Sequence, residues 1–204
     1  MSKYLTYQEI MEMEQRERAH LINSVGGFKS VSLIGSIDAA GQTNLAIFNS
    51  IVHIGANPPL ISFTMRPDSV ERHTLANILA TGFYTINHLN EAIYQQAHQT
   101  SAKYPKDVSE FEATGLTPEF KNDFIAPFVK ESHVQLGIEF KERVLLSINN
   151  TQMIIGEIKS IYFPEDCLQA DGYLDIEKAG SIACTGLDSY HTTQSLTRLS
   201  YAKP

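Results

Sequence analysis

Short stretches of alternating apolar and polar residues, rich in β-branched side chains, recur along this chain and predict a mainly β protein. Residues 38–41 have the turn chemistry of a hairpin. Asn57, Pro58 and Pro59 suit the start of a strand, because proline cannot donate a hydrogen bond in a strand interior. Six or seven antiparallel strands favour a closed or nearly closed barrel over a parallel sheet. The predicted strands cover residues 30–37, 43–48, 60–65, 83–87, 134–140, 143–148 and 152–163.

The start of the chain predicts a helix. Thr6 and Glu9 have the spacing of a capping box, in which each side chain satisfies a free backbone N–H at a helix N-terminus. The helix that follows, over residues 7–21, has only a narrow apolar stripe, which is typical of a surface or interface helix. We therefore expect residues 1–28 to form a helical arm.

The middle of the chain predicts two further short helices. Thr74 is expected to cap the first, over residues 75–80, which ends at Gly82. Asn90 is expected to cap the second, and a polar loop follows it. Residues 88–130 are therefore expected to form a helical and loop insertion that lies over the barrel.

The composition is that of one ordinary globular domain. The chain has 204 residues, of which 43% are hydrophobic and 19% are charged. A disordered chain has fewer apolar groups and more charge, and single β-barrels commonly reach this length. We expect one domain over residues 1–204.

Charge and cysteine content narrow the partners and the location. The formal net charge is −7, from 23 acidic and 16 basic residues without a basic run, which disfavours nucleic-acid binding. No run of about 18 apolar residues and no leader segment is found, so no membrane association is expected. Cys167 and Cys184 form no CxxC motif, which favours a reducing cytoplasm.

Several common kinds of active site lack their minimum motifs. The chain contains no GxGxxG after a strand, no GxxxxGK[ST], no HExxH and no GxSxG. The seven histidines are scattered, and none forms a metal-ligand pair at helical spacing. Dinucleotide-binding folds, P-loop enzymes, zinc proteases, serine hydrolases and metal sites are therefore not supported.

Residues 41–85 carry an ordered set of motifs. They resemble the hairpin glycine, the N-x-A-P-F-S segment, the Pro-Pro strand start, the basic Thr-containing helix start and the closing G-x-F/Y-x-x-N of the flavin reductase-like family. The similarity extends more loosely to Gly186–Tyr190 near the end of the chain. The motifs are, in order, Gly41, Asn44-Leu45-Ala46-Ile47-Phe48-Asn49, Asn57-Pro58-Pro59, Arg72-His73-Thr74 and Gly82-Phe83-Tyr84-Thr85-Ile86-Asn87.

This resemblance implies a fold and an activity. The fold is a mainly β, antiparallel, Greek-key FMN-binding split β-barrel with peripheral helices. The activity is that of an NAD(P)H-dependent flavin oxidoreductase, which passes electrons through bound FMN to a flavin or another small-molecule oxidant. The family also implies a homodimer, and a monooxygenase is a further expected partner.

The resemblance and elementary electrostatics point to the same phosphate site. The FMN phosphate needs cations and backbone N–H donors, and a helix N-terminus provides such donors. Thr74 at a helix start, with Arg72, His73 and Arg66 nearby, offers that combination in an otherwise acidic chain. The alternative is that both arginines are solvated surface charges and Thr74 is only a cap.

The rest of the expected cofactor site lies in the same block. Phe48 and Gly55 suit a flat apolar slot for the flavin ring, although apolar residues at strand spacing also form cores. Asn49 stands where the family has serine, so either an amide replaces the expected hydroxyl or Ser50 supplies it. The expected cofactor-binding residues are Asn44, Phe48, Asn49, Ser50, Gly55, Arg66, Arg72, His73 and Thr74.

No catalytic side chain is identified with certainty. His53 is a candidate for proton delivery during flavin reoxidation, with a structural histidine as the alternative. Tyr190 and His191 form a second candidate pair, because the resemblance puts the terminal tyrosine near the cofactor edge. The alternative for this pair is a C-terminal arm that packs on a partner subunit.

Three other functions stay open at this point. The first is a non-enzymatic FMN-binding electron carrier or flavin store. The second is chemistry like that of pyridoxamine-phosphate oxidases, which needs a second anion site, and no second Arg/Lys cluster is found in the sequence. The third is a barrel that has lost its cofactor and acts in protein interactions. The choice between NADH and NADPH and the final acceptor are also open.

Overall fold

The computed structural model describes residues 1–67 and 72–203. The helices are α1 (Tyr7–Glu12), α2 (Gln15–Val25), α3 (His73–Thr81), α4 (Tyr94–Gln99) and α5 (Glu110–Thr114), with one 3-10 helix, Glu165–Cys167. The strands are β1 (Lys29–Ser30), β2 (Ser32–Ile37), β3 (Thr43–Phe48), β4 (Val52–Ala56), β5 (Pro59–Met65), β6 (Phe83–His88), β7 (Pro118–Glu119), β8 (Phe128–Val129), β9 (Gln135–Leu146), β10 (Thr151–Tyr162), β11 (Ala183–Thr185) and β12 (Ser189–His191).

Seven strands form the main sheet, in the order β3-β2-β6-β9-β10-β5-β4. Each neighbouring pair in this sheet is antiparallel. The prediction of a mainly β, antiparallel architecture with peripheral helices is therefore confirmed. The edges of the sheet are β3 and β4, and a separate three-stranded sheet, β1-β11-β12, joins the two ends of the chain.

The hairpin of β2 and β3 forms as predicted. Its register runs from Ser32 opposite Phe48 to Ile37 opposite Thr43. In the turn, the Asp38 carboxylate accepts hydrogen bonds from the backbone N–H groups of Ala40 and Gln42, at 2.8 and 2.9 Å. This acidic side chain stabilises the tight turn that the sequence indicates.

The prediction of two strands over residues 134–148 is wrong, because β9 is one continuous strand of 12 residues. It pairs with β10, and the register shifts where Ile155 faces Glu142 and Gly156 faces Phe140. Lys141 is thus the extra residue of a β-bulge, which bends a strand without ending it. The Lys141 ammonium lies 2.9 Å from the Glu157 carboxylate. The polar residues Lys141 and Glu142, which resemble a turn in the sequence, therefore belong to a bulge that this ion pair stabilises.

The strand β4 was not predicted. It pairs with β5 at the edge of the main sheet and exposes most of its residues. The apolar side chains of Val52 and Ile54 are 56% and 43% exposed. The alternation of apolar and polar residues therefore does not mark a core-facing side of this strand. The pattern that identifies half-buried strands fails on such an exposed edge.

The N-terminal helix is split in two, contrary to the prediction of one helix over residues 7–21. The capping box is present, since Thr6 N–H donates to Glu9 and Glu9 N–H donates to the Thr6 hydroxyl. The break occurs because the Glu14 carboxylate accepts from Arg16 N–H at 2.7 Å and starts a second helix. Neither α1 nor α2 contains a buried residue.

Two details of the middle helices also differ from expectation. Arg72, and not Thr74, is the N-cap residue of α3, while the predicted end at Gly82 is confirmed by a left-handed φ of 77°. Asn90 accepts a hydrogen bond from Ala92 N–H in a turn, and the helix begins only at Tyr94. Both helices are placed correctly in the chain, but their N-caps are displaced by two and three residues, to Arg72 and Ile93.

The apolar core has two parts. The first lies between the main sheet and α3 and includes Ile34, Phe63, Ile78, Tyr84, Ile86, Ile138 and Ile154. The second lies beneath α4 and α5 and includes Leu33, Leu45, Leu89, Phe111, Val129, Ile182 and Cys184. The segment predicted as an insertion thus packs on the outer side of β3. Within residues 1–67 and 72–203, no helix is long and apolar enough to cross a bilayer.

Candidate functional site

A groove of about 1340 Å³ lies between two walls. The first wall consists of β3, the segment after it, the end of β5 and the start of α3, and the second consists of the three-stranded sheet with the loop after α4. Its volume exceeds that of an ordinary small-ligand pocket, about 300–1,000 Å³. It is lined by these residues from the expected site: Asn44, Phe48, Asn49, Ser50, Arg66, Arg72, His73, Thr74 and Tyr190.

The N-terminus of α3 opens into this groove. The first intrahelical bond runs from Ala76 N–H to Arg72 C=O at 3.0 Å, so the backbone N–H groups of His73, Thr74 and Leu75 have no partner within the helix. Arg72, as N-cap residue, makes no side-chain cap. These three amide donors have no partner among the described residues, and together with the positive end of the helix dipole they favour an anion at this end of the groove.

The Thr74 hydroxyl is oriented by a buried polar network. Asn44 donates its side-chain N–H to Thr74 Oγ1 at 3.0 Å, and Asn77 donates to Ser36 Oγ at 3.2 Å. Because an amide N–H can only donate, Thr74 Oγ1 is the acceptor and its own proton is left to be donated. Thr74 is therefore held at the groove by Asn44 and is not the helix cap.

Arg72 carries an unsatisfied buried donor. Its Nε is shielded from solvent and has no hydrogen-bond partner among the residues that the structure describes. Leaving a donor of a charged group buried and unpaired is costly, so a hydrogen-bond acceptor is expected next to this Nε. Arg66, which also lines the groove, is exposed and adds positive charge at the same end.

The other end of β3 is apolar and is joined to the second wall. Phe48 is half-buried and packs edge to face on Phe63, with 4.8 Å between ring centroids. Asn49 donates its side-chain N–H to Gly186 C=O at 2.9 Å, which links β3 to the turn between β11 and β12. The ring of Phe48 thus serves both the core and the groove surface.

Ser50 does not offer a free hydroxyl proton. Its Oγ donates to Thr64 C=O and accepts from Thr64 N–H, both at 3.1 Å. The hydroxyl therefore holds the segment after β3 against β5. Of the two alternatives for the missing family serine, the Asn49 amide has two N–H donors, one of which binds Gly186 C=O, whereas the only donor of Ser50 already binds Thr64.

The second wall is built by cross-strand partners. Cys184 on β11 faces Lys29 on β1 and Tyr190 on β12, and all three line the groove. Tyr190 Oη lies 2.8 Å from His98 Nδ1, and its ring contacts Tyr94 with 5.5 Å between centroids. Burial raises the pKa of Tyr190 to about 12, so the phenol stays protonated at neutral pH.

The sequence indicated a pair of Tyr190 and His191. In the structure, Tyr190 pairs with His98 instead. His191 Nε2 lies 3.0 Å from the hydroxyls of Thr185 and Ser189, and its ring packs on Phe28. His98 and Tyr190 are separated by 92 positions in the sequence. No spacing pattern reveals such a contact.

His53 and Gly55 do not line the groove. Both lie on β4, at the free edge of the main sheet, where His53 is exposed. The structure thus separates these two residues from the other expected site residues. Their surroundings within one chain are solvent and the neighbouring strand β5.

Glu110 is a groove residue that sequence reasoning missed. Its carboxylate is buried and accepts from Leu45 N–H at 2.9 Å, and so covers the free edge of β3. Thr43 and Ser109 join the same two elements through their hydroxyls at 2.8 Å. The sequence feature that could have pointed to Glu110 is an acidic residue at the start of a helix, α5. In the described part of the chain, no three His, Cys, Asp or Glu side chains cluster as metal ligands.

A mainly β sheet whose groove has an anion-receptive helix N-terminus at one end and an apolar surface at the other defines the class of split-barrel proteins related to flavin reductases. The family model described as a flavin reductase like domain matches residues 28–178. The chain belongs to this family, and the resemblance stated from its motifs is confirmed.

Solved structures agree with this assignment. A protein of Shewanella frigidimarina NCIMB 400, described as a flavin reductase with a split barrel domain, is 51% identical, with a TM-score of 0.95 over 98% of this chain and 100% of that one. Nitrilotriacetate monooxygenase component B of Bacillus cereus is 22% identical, with a TM-score of 0.84 over 97% and 100% of the two chains. Flavoredoxin of Desulfovibrio vulgaris (Miyazaki F) is 22% identical, with a TM-score of 0.73 over 86% and 92%. The last two share the fold.

Proposed function

We propose that the groove binds FMN with its phosphate at the N-terminus of α3. The observation that carries this proposal is the buried Nε of Arg72, which has no partner among the described residues and belongs to the N-cap residue of α3 at the groove. A phosphate offers the acceptor oxygens that Arg72, the Thr74 hydroxyl and the free N–H groups of α3 require. The residues present therefore fit the group.

The flavin ring is assigned to the opposite end of β3. Phe48 supplies an apolar surface there, and the Asn49 side chain and nearby backbone supply hydrogen-bonding groups. Glu110, whose carboxylate already accepts from Leu45, also lines the groove and would accept hydrogen bonds from hydroxyl groups of the cofactor. This arrangement leaves the second wall facing the ring.

The proposed activity is NAD(P)H-dependent reduction of a small acceptor or of a second flavin. Bound FMN supplies the hydride chemistry, and the protein supplies binding, orientation and electrostatics. No side chain is required as a nucleophile, which agrees with a groove whose lining holds hydrogen-bonding and basic groups without a nucleophile-base-acid triad among the described residues. The first wall holds the cofactor, while the Tyr190–His98 pair bounds the space left for the electron donor.

We also propose a homodimer in which β4 lies at the interface. An exposed edge strand that carries Val52, His53 and Ile54 invites pairing or covering by another chain. This gives His53 and Gly55 a location near a subunit contact, in place of the groove wall. Association constants from sedimentation, and their loss on Ile54→Lys, test the interface directly.

The proposed partner and location follow the family. A monooxygenase that consumes reduced flavin is the expected macromolecular partner, supported by the likeness to a monooxygenase component B. The two cysteines, Cys167 and Cys184, are buried and unpaired, which supports a reducing cytoplasmic location.

Anaerobic mixing of the FMN-saturated protein with NADH or NADPH tests the proposed activity. Bleaching of the flavin absorption band within seconds is the expected result. A bound flavin that dithionite bleaches and neither nucleotide does would support the electron carrier instead. A protein that elutes from gel filtration colourless after incubation with FMN contradicts the proposal as a whole.

A further inference from the structure

The second wall carries a positive charge that the proposed flavin phosphate site does not account for. Lys29, Cys184 and Tyr190 are opposite one another on three neighbouring strands, so their side chains lie on the same face of the sheet. All three line the groove. The loop after α4 brings a second lysine, Lys103, to the same groove beyond His98, which contacts Tyr190.

The Lys29 ammonium is held in place and retains binding capacity. Its Nζ donates to Asn23 C=O at 2.6 Å, which fixes one of its three protons. It forms no ion pair with a described residue, and Lys103 is exposed and likewise unpaired within the described chain. Two protons of the Lys29 ammonium are therefore left for an anionic ligand.

Lys29 lies apart from the phosphate end. Asn44 contacts Thr74, and Asn49 contacts Gly186 next to the second wall. The length of chain from Asn44 to Asn49 therefore gives the distance between the phosphate end and the second wall. Five residues of extended strand span about 17 Å. A phosphate held by Thr74 and Arg72 is therefore too distant to pair with Lys29.

The charge of the groove differs from that of the whole chain. Its described lining contains four cations, Lys29, Arg66, Arg72 and Lys103, and two carboxylates, Glu110 and Asp188. The chain as a whole carries a net charge of −7. The described lining is therefore net positive, and Asp188 is its carboxylate on the second wall.

We propose that Lys29, assisted by Lys103, binds the anionic pyrophosphate portion of a nicotinamide dinucleotide and so selects a charged electron donor over an uncharged one. This inference rests on the proposed function, because it takes the groove to hold FMN. Tyr190, hydrogen-bonded to His98, bounds the donor on the same wall. Lys29 is thus a specificity-determining residue on the substrate side of the groove.

Binding of oxidised NAD⁺ to the FMN-loaded protein, measured by calorimetry, tests this without turnover. Lys29→Gln is expected to raise the Kd about fivefold, because one solvent-accessible charged contact is lost. Lys29→Arg should keep most of the affinity. Lys130→Gln is the matched control, since Lys130 is exposed and lies outside the groove.

Stopped-flow reduction under anaerobic conditions gives a second readout. The rate with NADH is compared with that of 1-benzyl-1,4-dihydronicotinamide, an uncharged donor. The ratio of the two second-order rate constants should fall about fivefold in Lys29→Gln and stay constant in Lys130→Gln.

The possible failures are distinguishable. A wild-type protein that binds FMN and is bleached by the uncharged donor, but whose NAD⁺ affinity does not depend on Lys29, overturns this inference and leaves the proposed function standing. A Lys29→Gln variant that loses FMN affinity instead assigns the lysine to the cofactor, and also overturns it. A wild-type protein that binds no FMN contradicts the proposed function and this inference with it.

Discussion

The two walls of the groove differ in how they are built. The wall of β3 and α3 comes from one continuous region of the chain, is backed by the first apolar core and contains a buried polar network around Thr74. The wall of β1, β11 and β12 joins the two ends of the chain through short strands of two or three residues. Fewer buried contacts support such strands, so we expect the second wall to be less stable and more tolerant of change.

This contrast suggests a division of labour. A phosphate has a fixed shape and charge, and a rigid wall can present donors to it in advance. Electron donors and acceptors vary in shape, so a more adaptable wall suits them. The rigid wall then determines which cofactor is bound, and the adaptable wall determines which substrate reaches it.

The largest expected difference between the walls is in packing. A Cβ added to Gly35 on β2, next to β3, would overlap the backbone oxygen of Pro127 and lie 2.6 Å from Thr85 Oγ1. Gly35→Ala should therefore lower the free energy of unfolding by about 3 kcal/mol. In the second wall, a Cβ on Gly186 would have Asp188 Oδ1 as its nearest neighbour at 3.7 Å, with a left-handed φ of 61°.

Gly186→Ala should consequently cost only about 1 kcal/mol, the price of a left-handed alanine. Urea unfolding of both variants measures the difference. Equal losses of stability would remove the packing contrast between the two walls.

The joint between the walls should be sensitive to acid. His88, at the end of β6, lies 2.9 Å from the Ser181 hydroxyl, just before β11, and burial lowers its pKa from 6.5 to about 4. Because the folded protein resists protonation of His88, the unfolded chain binds more protons between these two values. The stabilisation is fully present above pH 6.5 and is lost as the pH falls towards 4, by up to about 3 kcal/mol.

Urea unfolding at several pH values tests this joint. His88→Gln removes the titrating group and should flatten the loss of stability between pH 6.5 and 4. His20→Gln, at an exposed position on α2, is the control and should keep the wild-type slope. An unchanged slope in His88→Gln would mean that other groups cause the acid sensitivity.

The smallest expected effect concerns one hydroxyl of the rigid wall. Thr74→Val removes the donor that Asn44 orients, and should reduce the affinity for FMN relative to riboflavin by about 1 kcal/mol. Thr74→Ser keeps the hydroxyl and should preserve the ratio. Because Thr74 is not the N-cap of α3, any loss of melting temperature in Thr74→Val reports on the buried network around Asn44. If the valine and serine variants behave alike towards the two flavins, the Thr74 hydroxyl does not contact the phosphate.

The rigid wall was largely predictable from the sequence, and the adaptable wall was not. The β2–β3 hairpin that carries this wall, and β6 and the end of α3 at Gly82 behind it, follow from local alternation and turn residues. Arg72, His73 and Thr74 were expected at a helix start from their spacing, although the cap itself was misassigned. These features depend on neighbours in the chain, which sequence patterns record.

The second wall depends on contacts between distant segments. Lys29 meets Cys184, and His98 meets Tyr190, through tertiary packing that leaves no periodic signal. β4 was missed because both of its apolar side chains, Val52 and Ile54, are exposed. Sequence patterns report burial, so residues that serve an edge or a second wall lie outside what they can predict.

The most direct test of the central claim compares FMN with riboflavin, which lacks the phosphate. Fluorescence titration of the wild-type protein should give a markedly lower Kd for FMN, and Arg72→Gln should weaken FMN binding by about 1–3 kcal/mol with little effect on riboflavin. Arg16→Gln, at an exposed position on α2, should change neither. Equal affinities of the wild-type protein for the two flavins, unchanged in Arg72→Gln, would contradict a phosphate site at the start of α3.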